Sequence, residues 1–188
     1  MTSHPSDQTP DAPRRDIVLL GDRLRSLETL NTRTAPSPQQ EPRAVPPAEE
    51  REPVATVVIG SDLGDATTRT MAEERLRDSV MPQVDSVDDF QRLRNIIIVT
   101  AGAATVNRDD LLRTGDDVAR EIEAELQRSK GVTLSVTVVI LDDDFDPDLL
   151  ARRITERTDS SFSLGPFAVL GKTLRRQSLR DAETTDYL

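Results

Sequence analysis

The chain has 188 residues and a formal net charge of -10, from 34 acidic and 24 basic side chains, and it contains no cysteine. This length accommodates one compact domain with a tail rather than two substantial cores. The lack of cysteine excludes disulfides, thiolate chemistry and cysteine-ligated metal centres. The acidic balance argues against general nucleic-acid binding and against an anionic membrane surface, because both require Lys and Arg to neutralise phosphate.

Residues 1–53 hold 9 of the 12 prolines and have the composition of a disordered tail. The window 14–30 differs, because its apolar residues recur at spacings of three and four and predict one stripe on a short amphipathic helix. The members of this stripe are Ile17, Leu20, Leu24 and Leu27. Such a helix binds a protein partner or docks on its own domain, and the sequence leaves both alternatives open. The proline-rich residues 34–53 then form a linker.

The folded domain is predicted to span residues 54–180. Its first strand is the apolar run that ends at Gly60, and a helix follows from an N-cap at Thr67 or Thr68. Together with the elements below, this order of strands and helices predicts an α/β or α+β fold. We expect a three- to four-stranded sheet with helices packed on it.

The most regular stretch is residues 95–141. Ile96 to Val99 form an unbroken β-branched run, typical of a central strand. Asn107 suits the N-cap of the following helix, and Gly131 suits its left-handed C-cap. Apolar residues then alternate with polar ones, which predicts a flanking strand with one wet face. The polar residues of this strand are Thr133, Ser135 and Thr137.

The C-terminal part begins with a helix that has Asp146 at its N-cap and Pro147 at its first position. The following stretch, 165–180, fits either a strand around Phe167 or a helix from Pro166, and the spacing of its leucines favours the helix. Residues 181–188 are expected to be loose.

The first candidate site is the glycine-rich turn between the first predicted strand and helix. A strand, a glycine turn and a helix N-terminus can together bind a phosphate through backbone N–H groups. The candidate phosphate-binding residues are Gly60, Ser61, Gly64, Thr67 and Thr68. The alternative interpretation is an ordinary strand-to-helix connection with threonine caps.

The second candidate is the acidic run after the last alternating strand, where Asp142, Asp144 and Asp146 could supply oxygen ligands to Mg²⁺ or Ca²⁺. The run lacks the glycine and the glutamate of an EF-hand loop. A solvated helix N-terminus, stabilised by the helix dipole, accounts for the same residues without a metal. We therefore expect no obligatory cofactor.

The only histidine is His4, within the predicted tail, so Ser-His-Asp chemistry is excluded. The sequence predicts a non-enzymatic structural, assembly or adaptor protein, of the kind found in virions, phage tails or polymerase cofactors. We expect it to form a homo-oligomer and to bind a protein partner through residues 14–30. A small enzyme domain binding phosphate or Mg²⁺ at the Gly60–Thr68 turn is the alternative.

No stretch has the length and hydropathy of a membrane span, and the polar N-terminus lacks the apolar core of a signal peptide. The sequence therefore predicts a protein of the cytoplasm or of a virion that is neither secreted nor inserted in a membrane.

Overall fold

The computed structural model describes residues 17–30, 56–87, 93–158 and 165–186. Within these ranges the chain forms one five-stranded parallel sheet in the order β1-β2-β3-β4-β5. The strands are β1 Ile17–Gly21, β2 Thr56–Asp62, β3 Asn95–Ala101, β4 Ser135–Ile140 and β5 Phe167–Leu170. The predicted α/β class is confirmed, with one strand more than the upper expectation.

The helices are α1 Arg69–Asp85, α2 Arg108–Lys130, α3 Pro147–Thr158, α4 Gly171–Leu174 and α5 Leu179–Asp186, and a 3-10 turn covers Arg25–Leu27. The predicted caps are confirmed: Thr68 accepts from the N–H of Met71, and Asn107 accepts from the N–H of Asp109 at 2.9 Å. Gly131 ends α2 in the left-handed conformation, with φ 67°. No helix of the described part is both long and apolar enough to cross a bilayer.

Two apolar cores sandwich the sheet. Helices α1 and α2 cover one face, which we call the α1 face, and the 3-10 turn, α3, α4 and α5 cover the other, the α3 face. Successive strand residues alternate between the two cores, since side chains point to opposite sides of a strand. The α1 face includes Val57, Ile59, Ile96, Ile98, Val136 and Val138. The α3 face includes Val58, Ile97, Val99, Val139, Phe167 and Val169.

The connections that follow β3 and β4 leave the sheet on opposite sides. The strand order never reverses, yet α2 returns the chain over the α1 face and α3 returns it over the α3 face. Two connections that advance in the same direction over opposite faces have opposite handedness, so one is the uncommon left-handed crossover. At the carboxyl ends of the strands, the loop after β4 faces the chain that follows β1, and a crevice lies between them.

The helix predicted for residues 14–30 is wrong where the structure describes it. Residues 17–21 form β1, which pairs in parallel with β2, and a 3-10 turn follows at Arg25–Leu27. Ile17 to Leu20 are four consecutive apolar residues, so they suit a strand covered on both faces as well as a helical stripe, and pairing with β2 decides between them. The folded domain therefore begins well before residue 54. Residues 1–16 and 31–55, which hold the rest of the predicted tail and linker, lie outside the described part.

Three further predictions are corrected at the C-terminal side. Strand β4 has no wet face, because α3 covers Ser135 and Thr137, which are both buried. Residues 167–170 form β5 rather than the start of a helix. The stretch expected to be loose contributes to α5, in which Ala182 and Glu183 are buried.

An ion pair holds α5 against the sheet. Arg157 of α3 lies 3.1 Å from the carboxylate of Glu183, with side-chain exposures of 0% and 2%. Arg157 Nη2 also donates to Ser135 Oγ of β4 at 2.8 Å. Burial lowers the pKa of Arg157, while the charge of Glu183 opposes that shift. Each charge is tolerable in this environment only because the other is present.

We expect Glu183→Gln to lower the free energy of unfolding by about 3–5 kcal/mol, because it leaves the Arg157 charge buried without its counter-ion. The matched control is Glu125→Gln, which breaks an exposed pair with Arg128 and is expected to cost about 0–1 kcal/mol. Urea denaturation of the full chain measures both. Equal, small losses would show that the Arg157–Glu183 pair is not buried as described.

Candidate functional site

The residues predicted to bind a partner do not form one stripe. Leu24 and Leu27 are 7% and 1% exposed and belong to the core of the α3 face. Ile17 packs on that same face, whereas Leu20 points to the α1 face. Within the described part these four side chains therefore stabilise the chain's own domain. Of the four, only Ile17 and Leu20 belong to β1, which is an edge strand of the sheet.

The first half of the predicted phosphate turn is structural. A Cβ on Gly60 would collide with the carbonyl oxygen of Asp22, so glycine is needed here for the close approach of the chain after β1. Ser61 is fully buried on the α1 face, and its Oγ has no hydrogen-bond partner among the described residues. Neither residue is accessible to a phosphate.

The amides of the turn are occupied by the protein's own oxygens. The N–H of Asp62 donates to the Asp22 carboxylate at 2.9 Å, and the N–H of Gly64 donates to the Asp62 carboxylate at 2.8 Å. The N–H of Leu63 donates to the carbonyl of Ala101. Carboxylates thus occupy the places that phosphate oxygens would take, and their charge would repel an anion.

The threonines that follow have ordinary local contacts. Thr68 caps α1, and Thr67 Oγ1 lies 3.6 Å from the sulfur of Met71. Beside them, a hydrogen bond from Arg75 lowers the pKa of the exposed Asp65 carboxyl. This group stays ionised at neutral pH, so it is suited to pairing with charge and not to proton transfer.

The three predicted metal ligands lie on one loop but have different partners. Asp142 pairs with Arg108 at 2.7 Å, and Asp144 pairs with Arg175 at 2.8 Å. Asp146 accepts from the N–H of Asp148 at 2.9 Å and caps α3. In the part of the chain that the structure describes, no three acidic or histidine side chains converge on one point suited to a metal ion.

The same loop forms one wall of a cavity of about 550 Å³ in the crevice above β3 and β4. The opposite wall is the chain that follows β1, and the floor includes Ala101 at the end of β3. The apolar lining is Leu24, Ala101, Leu141, Phe145 and Pro147; the polar lining is Arg25, Ser26, Asp142, Asp143, Asp144 and Asp146. Ligands of open α/β sheets lie in such crevices, at the carboxyl ends of the strands.

The chemistry of this cavity suits a cation with an apolar body. Of its four carboxylates, those of Asp142 and Asp144 pair with arginines, whereas Asp143 and Asp146 have no arginine partner among the described residues. Phe145 and Leu24 supply apolar surface. A carboxyl with a raised pKa does occur in the protein, since burial raises the pKa of Glu123. Glu123 lies in the second half of α2, towards the amino ends of the strands, so it cannot act as a general acid in the crevice.

The two edges of the sheet differ. Edge strand β5 has four residues, and the outward N–H of Ala168 donates to the Asp116 carboxylate of α2 at 2.6 Å. An inward-pointing charged side chain of this kind prevents another strand from pairing with the edge. We call this the closed edge.

Strand β1 forms the other edge, and no described residue pairs with its outer side. Asp22 donates its N–H to the carbonyl of Gly60. The backbone N–H and C=O groups of the even-numbered residues of β1 therefore point towards β2. Because backbone groups alternate along a strand, Ile17, Leu19 and Gly21 direct their N–H and C=O groups outward. We call this the open edge.

The spacing of apolar residues favours a helix at both edges, and a strand around Phe167 is only the alternative for β5. The signal for β1 is the run of four consecutive apolar residues from Ile17 to Leu20, which also fits a helical stripe. No signal in the sequence identified Asp116, because its role depends on the packing of α2 beside β5.

No family model, no curated protein and no solved structure matches this chain.

We expect Leu27→Ala to lower the free energy of unfolding by about 2–5 kcal/mol, because it leaves a cavity in the core of the α3 face. The control Glu28→Ala changes an exposed neighbour and should alter stability by no more than about 0.5 kcal/mol. Chemical denaturation of the full chain measures both. An unchanged stability for Leu27→Ala would contradict the placement of residues 24–27 in the domain.

Proposed function

We propose that this protein is a non-enzymatic assembly or adaptor protein that associates by adding a strand to the open edge of β1. The observation that carries the proposal is the difference between the two edges. One edge is blocked by a carboxylate, and the other presents three outward residues on an apolar strand.

The energetics favour strand addition at this edge. Unpaired backbone groups at a sheet edge are a template for another strand, and proteins usually blunt such edges with charge, proline or bulges. Strand β1, with the sequence Ile-Val-Leu-Leu-Gly, has none of these devices within its five residues. Main-chain hydrogen bonds would supply affinity, and the half-buried side chains beside them would supply specificity.

The carboxyl edge supports a binding role more than a catalytic one. Its turn amides are satisfied internally, and its acidic groups are held by Arg108, Arg175 and Arg75. An enzyme acting by proton transfer needs a group poised near the working pH within reach of its substrate. Asp65, with its lowered pKa, and Glu123, with its raised pKa, both lie outside the lining of the crevice.

A second candidate function is the binding of a small cation in the crevice, and the acidic cavity beside the carboxyl ends favours it. This cation site differs from a phosphate site. A phosphate would need free N–H groups in the turn, and the turn N–H groups described above already donate to the protein's own oxygens. The class of ligand would be an organic amine, because no three carboxylates of the described part converge on a point suited to a metal ion.

For the assembly proposal, we expect the full chain to self-associate and Leu19→Pro to abolish this. Proline at position 19 removes an outward N–H and no bond to β2, and it is tolerated on edge strands. The matched control is Leu19→Ala, which loses the same side chain but keeps the N–H. Light scattering coupled to size exclusion measures the mass across a wide concentration range. A monomer of 20.8 kDa at every concentration overturns the proposal of self-association.

For the crevice, we expect putrescine at millimolar concentration to raise the melting temperature, whereas Mg²⁺ and Ca²⁺ should not, because no three carboxylates of the described part converge there. A ligand at tenfold its Kd stabilises the folded state by about 1.4 kcal/mol. Asp143→Asn should reduce the shift, because Asp143 lines the cavity, whereas Asp85→Asn at the end of α1 makes the same change in charge elsewhere. No shift with putrescine leaves the crevice without this function.

A further inference from the structure

We infer that the strand added to the open edge is β1 of a second copy of this chain. The two β1 strands run antiparallel across a two-fold axis at Val18, and the product is a closed dimer. Two five-stranded sheets then join into one sheet of ten strands. This inference rests on the proposed function and adds to it the partner, the orientation and the register.

Closure follows from the difference between the edges. If copies joined head to tail, the β1 edge of one would meet the β5 edge of the next, and the contact would repeat into a filament. The Asp116 carboxylate on the N–H of Ala168 blocks that arrangement, because the carboxylate would be buried without this donor. Only the open edge remains, and a surface that pairs with itself gives a two-fold, closed contact.

The register follows from the backbone of β1. In an antiparallel pair, outward residues face outward residues, so an axis that pairs two different outward residues of β1 passes through Val18, Leu19 or Leu20. Gly21 has φ 76° and leaves the extended conformation, so the regular outer ladder ends at Leu20. An axis at Leu19 would pair Gly21 with Ile17, and an axis at Leu20 would pair Gly21 with Leu19. An axis at Val18 pairs Ile17 with Leu19 and keeps Gly21 out of the central pairs.

The partial burial of Val18 favours the same register. The axis stands perpendicular to the sheet, so both Val18 side chains lie on the α1 face, where Val18 is only partly buried in one copy.

The chain has no cysteine, so single cysteine substitutions report the axis directly. Val18→Cys, Leu19→Cys and Leu20→Cys are oxidised mildly in the full chain, with Thr70→Cys on the exposed side of α1 as the control for random collision. At Val18 the facing Cα atoms would be about 4.5 Å apart, within the range of a disulfide. Leu19 of the two copies would be diagonal neighbours about 7–8 Å apart, which is too far.

The expected result is a covalent dimer for Val18→Cys alone. A cross-link at Leu19 or Leu20 instead overturns the register. Masses above twice 20.8 kDa in light scattering of the full chain overturn closure. If the full chain self-associates and Leu19→Pro abolishes this, but none of the β1 cysteines cross-links, the inference fails while the proposed function stands.

If the chain is monomeric and the Leu19 amide exchanges slowly with solvent, a segment of the same chain covers the edge. That result overturns both the inference and the proposal of self-association. Rapid exchange of the Leu19 amide in a monomer overturns them equally, since nothing then covers the edge.

Discussion

The rest of the structure depends on the parallel pairing of β1 with β2 at Gly60. The N–H of Asp22 donates to the carbonyl of Gly60 at 2.8 Å, and no side chain fits at Gly60 because the chain after β1 passes directly against it. This contact brings residues 17–30 into the domain, although 25 residues that the structure does not describe separate Leu30 from Thr56. It also sets one wall of the crevice and makes β1, rather than β2, the edge of the sheet.

Regular elements with local signals could be predicted from the sequence. The central strand at Ile96–Val99 and the helix bounded by Asn107 and Gly131 have hydrophobic periods and caps that involve only near neighbours. The wrong predictions concern segments whose secondary structure is decided by contacts with distant parts of the chain. Ile17 to Leu20 fit a helix or a strand equally well until β2 is beside them, and Phe167 to Leu170 become a strand because β4 lacks another neighbour.

The candidate sites show the same division. A glycine-rich turn between a strand and a helix is recognisable in sequence, but whether its amides are vacant depends on side chains elsewhere. Here the Asp22 carboxylate, 40 residues away in sequence, occupies the N–H of Asp62. The acidic loop after β4 was identified, yet its cavity requires Leu24 and Ser26 from the other wall, which sequence reasoning had placed in a separate tail.

Charge and hydrogen bonding distinguish the β1 edge of the sheet from the β5 edge as a surface for association. The β5 edge and the turn after β2 both use carboxylates to satisfy backbone N–H groups, so neither has donors left for a strand or an anion at those positions. The outer side of β1 has no such partner among the described residues. This difference is the basis of the proposal that the protein associates through the β1 edge.

Amide hydrogen exchange of β1, followed by NMR on the full chain, tests this arrangement most directly. In dilute, monomeric samples we expect slow exchange for Leu20 and Asp22, which face β2, and fast exchange for Leu19, which faces outward. At concentrations where the chain associates, Leu19 should become slow as well. Contiguous protection from Ile17 through Leu24 at every concentration, as a helix would give, would contradict the pairing of β1 with β2.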